Sequence, residues 1–145
     1  MKKRYWIIGI TLILIDQITK MLVTNKNINI IPNFFNITYT ENNGAAFGIG
    51  STSFILIISI LIVIGLIILI IKERNKITNF TPFILILSGS IGNLIDRIFK
   101  GYVIDFLDFN IFSFPNFNIA DICIVLGIFL LIYELIKRVV KKSDI

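Results

Sequence analysis

Histidine is missing from this chain of 145 residues, and cysteine occurs once, as Cys123. Without histidine there can be no HExxH zinc helix, no Ser-His-Asp triad and no Cys-His pair. One cysteine cannot form a disulfide framework or a cysteine-based zinc site. Its place inside an apolar run reads as a small packing residue. Charge is also scarce: 16% of residues are charged against 56% hydrophobic, and the mean hydropathy is +0.89. A soluble domain could not clothe its surface on that composition. Repeats, low-complexity tracts and a second domain are absent too, so one integral membrane domain over residues 1–145 is expected.

Four apolar stretches are present instead: Tyr5 to Val23, Phe54 to Ile71, Phe80 to Phe99 and Ile119 to Ile136. Each is close to the roughly 20 residues a helix needs to cross a bilayer. Ten of the fourteen basic residues lie in three segments that share one face: Lys2, Lys3 and Arg4; Lys72, Arg74 and Lys76; and Lys137, Arg138, Lys141 and Lys142. Basic residues collect on the cytoplasmic side, so both termini are expected there. The net charge of +5 then reports topology and attraction to anionic headgroups, and no soluble basic surface remains for nucleic acid. The start resembles a secretory signal, but Asp16, Gln17 and Lys20 interrupt its apolar run and no small-residue cleavage site follows. An uncleaved first span is expected.

The two outer loops, roughly Thr24 to Ser53 and Lys100 to Asn118, carry strand-like patterns. Ile28 to Thr40 is rich in β-branched and aromatic residues, with Pro32 at a bend, and Glu41-Asn42-Asn43-Gly44 is a turn signal. Tyr102 to Phe109 is a second strand candidate. The expected fold class is an all-α membrane protein of four transmembrane helices, with a small β-sheet cradle built from the outer loops.

Polar residues inside the spans cluster at one depth. Asp16 and Lys20 lie four apart in the first span, where they can pair on one face. Asn93, Asp96 and Arg97 share a face of the third, and Asn118 and Asp121 open the fourth. Each cluster has a structural reading: an interhelical ion pair, an amide cross-link, a snorkelling arginine with Asp96 as its partner or as a helix-end contact, and a helix cap. Gly89 and Gly92 read as points of close helix approach, and Asp108 as solvated. Convergence at one level, near the outer headgroups, favours a shared site.

Two nearby aspartates can hydrolyse a peptide without other groups, because they cannot both ionise comfortably. One keeps a proton as acid while its partner, as base, activates a water. Asp105, on an outer loop, and Asp121, at a helix start, suit those roles. Helix polarity makes Asp121 the expected base. A Ser-Lys alternative would use Ser113 and Lys100, although nothing in the sequence brings them together.

Five ordered blocks then carry a resemblance. They are Asp16-Gln17-Ile18-Thr19-Lys20, Asn42-Asn43-Gly44-Ala45-Ala46-Phe47, Gly92-Asn93-Leu94-Ile95-Asp96-Arg97, Gly101-Tyr102-Val103-Ile104-Asp105-Phe106 and Phe117-Asn118-Ile119-Ala120-Asp121. Together they resemble the bacterial lipoprotein signal peptidases, or signal peptidases II, over nearly the full length. The resemblance implies an intramembrane aspartyl endopeptidase of the bacterial cell membrane, with its site facing the outer leaflet. It would cleave prolipoproteins before their diacylglyceryl-modified cysteine. Asp105 and Asp121 would be the catalytic dyad. Asp16, Lys20, Asn42, Gly44, Asn93, Arg97 and Asn118 would shape or support the pocket. Membrane lipids and lipid-modified prolipoproteins are the implied partners, and globomycin-type cyclic peptides the implied inhibitors. No metal or cofactor is implied. Glu41 stands where the family commonly has a basic residue, and the last outer loop is short. The rival reading is a small ion or proton transporter. That would need polar groups through both leaflets, which the second span lacks.

Overall fold

The computed structural model describes residues 3–44, 52–110 and 114–143. The chain runs through helix α1 (Lys3–Val23), strands β1 (Asn27–Ile31) and β2 (Phe35–Asn42), helices α2 (Thr52–Glu73) and α3 (Thr81–Phe99), strand β3 (Val103–Phe109) and helix α4 (Ile119–Ser143). All four helices are long and apolar enough to span a membrane. The fourth continues past Ile136, through basic residues that are good helix formers and suit a C-terminal end. Ala45-Ala46-Phe47 and Ser113 lie outside the described residues.

Burial is inverted relative to a soluble protein. Large apolar side chains face outward along the helices, with Ile7, Met21, Leu61 and Phe129 all more than half exposed, while Asp16, Lys20, Asn93, Asp96, Asp105 and Asn118 are buried. That distribution suits hydrocarbon outside and a polar site within. Helix α3 packs against α1, α2 and α4, and so forms the centre of the bundle. At the end bearing Lys3, Arg4, Lys72 and Arg74, Tyr5, Val63, Ile70, Phe80, Ile84 and Leu87 form an apolar core.

The three strands form one antiparallel sheet in the order β1-β2-β3, gathered at the other end. Pro32 and Asn33 break the Ile28–Thr40 stretch into two strands. Asn33 turns the corner with φ of 60° and the Phe34 amide donates to the Ile31 carbonyl at 3.0 Å. A bulge between Ile37 and Thr40 brings Thr40 opposite Asp105 and Asn42 opposite Val103. Asp108, expected to be solvated, instead accepts from the Thr38 hydroxyl at 2.8 Å and the Asn36 amide at 3.4 Å, because cross-strand pairing puts these polar groups side by side.

The α3–α4 contact depends on glycine. A Cβ on Gly89 would run into the Ala120 carbonyl oxygen and lie 2.8 Å from Ile124 Cγ1; one on Gly92 would lie 2.7 Å from Asp16 Oδ2. Gly89→Ala is therefore expected to cost about 1–3 kcal/mol through overpacking. Gly65→Ala, with nothing within 4 Å of the added carbon, should be neutral or slightly stabilising. Thermal unfolding in detergent checks both.

Candidate active site

The site grows from the first turn of α4. Asn118 Oδ1 accepts the Asp121 amide at 3.0 Å, and Asp121 Oδ2 accepts the Asn118 amide at 3.1 Å. This reciprocal pairing is a capping box made with asparagine and aspartate. It leaves the Asn118 amide group free to reach elsewhere. Its Nδ2 donates to Asp105 Oδ1 at 2.6 Å and lies 3.2 Å from both Asn93 Oδ1 and the Ile104 carbonyl. One side chain thus caps a helix and holds Asp105.

The same logic fixes Asn93 on α3. Its Oδ1 faces Asn118 Nδ2 and the Lys20 ammonium, the latter at 2.9 Å, so its Nδ2 must point the other way. There it donates to Asp121 Oδ1 at 2.7 Å. The sheet supplies the last donor: Asn42 Nδ2 to Asp105 Oδ2 at 2.8 Å. Asn42 Oδ1 accepts from the Gly44 amide, where φ of 71° curls the chain back in a conformation glycine adopts freely. Every oxygen of Asp105 and Asp121 therefore accepts one uncharged N–H, and among the described residues neither carboxylate has an ion-pair partner.

The cation lies one step away. Lys20 is fully buried and spends its three N–H donors on Asp16 (2.9 Å), Asp96 (2.9 Å) and Asn93 (2.9 Å). Asp16 also accepts the Ala120 amide at 2.9 Å, tying α1 to the start of α4. Asp96 also binds Lys100 at 2.8 Å and the Ile104 amide at 3.2 Å, tying α3 to β3 beside Asp105. Asp96 is thus the partner of two lysines, and not of Arg97, which was one of the two readings the sequence offered for it. Arg97 makes a long 3.5 Å bond to the Asn93 carbonyl, and its guanidinium feels the charges of Asp121, Asp105 and Asp96.

Burial pushes the Asp105 carboxyl up to about 6, against the donors Asn42 and Asn118, with repulsion from Asp121 adding to the rise. Asp105 and Arg97 open onto a cavity of about 900 Å³ at the sheet end, bounded by Asn42, Gly44 and Pro115. Arg97 and Asp121 open onto a second, of about 410 Å³, between α2, α3 and α4. Asp121 also borders a third, of about 520 Å³, walled by Phe114, Ile122 and Val125.

All nine residues singled out in the sequence fall in or beside this network. Sequence reasoning missed the role of one contributor and mispaired another. Gln17 bonds Asp16 Oδ2 and the Gly92 carbonyl, both at 3.1 Å. Asp96, read as a partner of Arg97 or a helix-end contact, pairs with Lys20 and Lys100 instead. The Ser113–Lys100 alternative cannot be placed, since Ser113 is outside the described residues; the Lys100 ammonium is already bound to Asp96.

Fold and site together define a polytopic membrane enzyme built around buried carboxylates. The family model described as Signal peptidase (SPase) II matches residues 8–137. A lipoprotein signal peptidase of Staphylococcus haemolyticus is 42% identical over 158 aligned positions, covering 99% of this chain and all of that protein. One from Staphylococcus aureus is 39% identical, covering 99% of this chain and 98% of its own. A solved structure described as a bacterial membrane enzyme, determined in meso at 2.3 Å, superposes with a TM-score of 0.84. It is 37% identical and covers 96% of this chain and 91% of its own. A second, at 1.9 Å, gives 0.81 at 38% identity, covering 92% and 93%. The chain belongs to the signal peptidase II family, whose members are aspartic-type peptidases.

Proposed function

We propose that this chain is an intramembrane aspartyl endopeptidase that removes the signal peptide of prolipoproteins by cleaving before the diacylglyceryl-modified cysteine. Asp105 and Asp121 are its catalytic pair, in a single integral membrane domain of a bacterial cell membrane. The basic end faces the cytoplasm and the sheet end the outer leaflet. The observation that carries this reading is the pattern of donors: two carboxylates bridged by Asn118, each oxygen held by a neutral N–H, beside open cavities. Neutral donors orient both acids without forcing both to ionise, as a dyad sharing one proton requires.

Asp121 accepts a backbone N–H at a helix N-terminus, which suits an ionised base. Asp105, raised to about 6, suits the acid. Asp121 takes a proton from a water as its oxygen attacks the scissile carbonyl carbon, and Asp105 protonates the carbonyl oxygen. Collapse of the tetrahedral intermediate breaks the C–N bond and passes a proton to the leaving amine. The products are a signal peptide with a new carboxylate and a lipid-modified cysteine with a free α-amine. Asp16, Lys20, Asn93 and Asn118 hold the pair; Asn42, Gly44 and Arg97 line the approach. Globomycin-type cyclic peptides are expected to compete for the same cavity.

The purified protein in detergent, given a diacylglyceryl-modified prolipoprotein, should release a signal peptide ending at the residue before the cysteine, read by mass spectrometry. Cleavage elsewhere, or of the unlipidated precursor alone, would refute the substrate assignment.

The pH profile follows from the acid. The reaction needs Asp105 protonated, so kcat/KM should fall as pH rises through about 6, an apparent value that belongs to the coupled pair. Asn42 donates to the charged form and holds the Asp105 value down. Asn42→Ala should therefore move the alkaline limb to higher pH. A limb that stays in place or moves lower contradicts the acid role.

A further inference from the structure

The opposite, basic end carries a feature that peptide cleavage does not use. Helices α1 and α2 both lie against α3, and between the three is a groove of about 240 Å³. Trp6, Ile67, Ile70, Phe80 and Leu87 form its walls, and Arg74 is the charged residue on its border. Arg74 is exposed, and among the described residues no carboxylate lies within ion-pair distance of it; the neighbouring Glu73 is taken by Lys76 at 2.8 Å. A second guanidinium is close. Arg4 stacks over the Tyr5 ring at 4.9 Å, and that ring packs at 5.6 Å from Phe80, a wall of the groove.

We infer that this groove is a binding site for an anionic phospholipid, one acyl chain lying in the cleft and the headgroup phosphate held by Arg74 and Arg4. Both apolar walls and cations are required by the shape of such a ligand. Guanidinium presents paired N–H donors that match phosphate oxygens; Arg74 borders the groove, and Arg4 is held on the Tyr5 ring that packs against its Phe80 wall. Trp6, more than half exposed beside the groove, is the amphipathic ring that favours the headgroup level. A basic recess between spans is how membrane proteins recognise acidic headgroups. A zwitterionic lipid would fill the cleft but gain little from the cations. The site is separate from the carboxylate network and does not depend on the peptidase reading.

Native mass spectrometry of the delipidated full-length protein, titrated with phosphatidylglycerol or phosphatidylcholine of the same chains, tests the inference. One phosphatidylglycerol should be retained with roughly thirtyfold preference, about fivefold for each cation near an anionic headgroup. Arg4→Gln with Arg74→Gln should abolish the preference, and Arg74→Gln alone should lower it about fivefold. Ile67→Trp, which fills the groove, should displace the lipid while leaving both arginines in place. Glycerol phosphate should not compete, because it has no acyl chain. Equal retention of the two lipids overturns the inference, as does a preference that survives the double substitution. Arg74 is exposed and Ile67 lies far from the aspartates, so unchanged unfolding temperatures should accompany the single variants.

Discussion

Asp105→Asn and Asp121→Asn should each lower kcat for prolipoprotein cleavage by on the order of a thousandfold or more while the helices stay folded. On the proposed mechanism the two substitutions remove different groups from one machine: the proton donor to the carbonyl oxygen in the first, the base that activates water in the second. Their effects should therefore not add. The double variant should be about as inactive as either single one, since a dyad with one member gone has already lost its function. KM should change little if, as proposed, both carboxylates act on the reacting atoms rather than on the acyl chains or the signal helix. A fold defect would look different. Asparagine keeps the shape at both positions, and the capping pair of Asn118 and Asp121 retains an acceptor. Activity surviving either substitution within tenfold would remove that residue from the mechanism.

Lys20→Met has the largest expected effect on stability. Lys20, Asp16, Asp96 and Lys100 form a cluster of two cations and two anions, three of its members almost wholly buried. Removing one partner of a buried ionic group leaves an uncompensated charge and costs about 3–5 kcal/mol. It also removes the shorter of the two donors to Asn93 Oδ1, leaving the 3.2 Å contact from Asn118 to orient that amide. The cluster predicts its own rescue. Asp16→Asn combined with Lys20→Met returns the buried charge to zero, leaving Asp96 with Lys100. That variant should recover most of the unfolding temperature lost by Lys20→Met, but not full activity, because Asn93 Oδ1 has lost its 2.9 Å bond from the ammonium. A double variant as unstable as the single one would refute charge balance as the reason for the cluster.

Much of this was legible in the sequence, for physical reasons that differ by residue. The spans could be read because a bilayer imposes a length and excludes charge. The cap at Asn118 and Asp121 could be read because capping is local, fixed by a three-residue spacing. The Asp16–Lys20 pair is local in the same way. Of the two lysines that bind Asp96, Lys100 is local, four residues on, whereas Lys20 was not legible because it lies on another helix and only the α1–α3 packing brings the two together. Asp108 was misread for the same reason: its partners, Asn36 and Thr38, are set by strand register across a bulge. The orientation of the Asn93 and Asn118 amides, which turns an acidic cluster into a set of directed donors, depends on several long-range contacts at once. Sequence brought the residues to one depth, and tertiary structure determined which atoms face each other.

On the proposed mechanism two aspartates deliver a water directly to the peptide carbonyl. The most direct test is cleavage in H₂¹⁸O with hydroxylamine present, followed by mass spectrometry of the released signal peptide. Direct attack by water predicts one ¹⁸O in the new terminal carboxylate and no hydroxamate at any hydroxylamine concentration. A hydroxamate that grows with hydroxylamine would reveal a covalent acyl-enzyme and contradict the account.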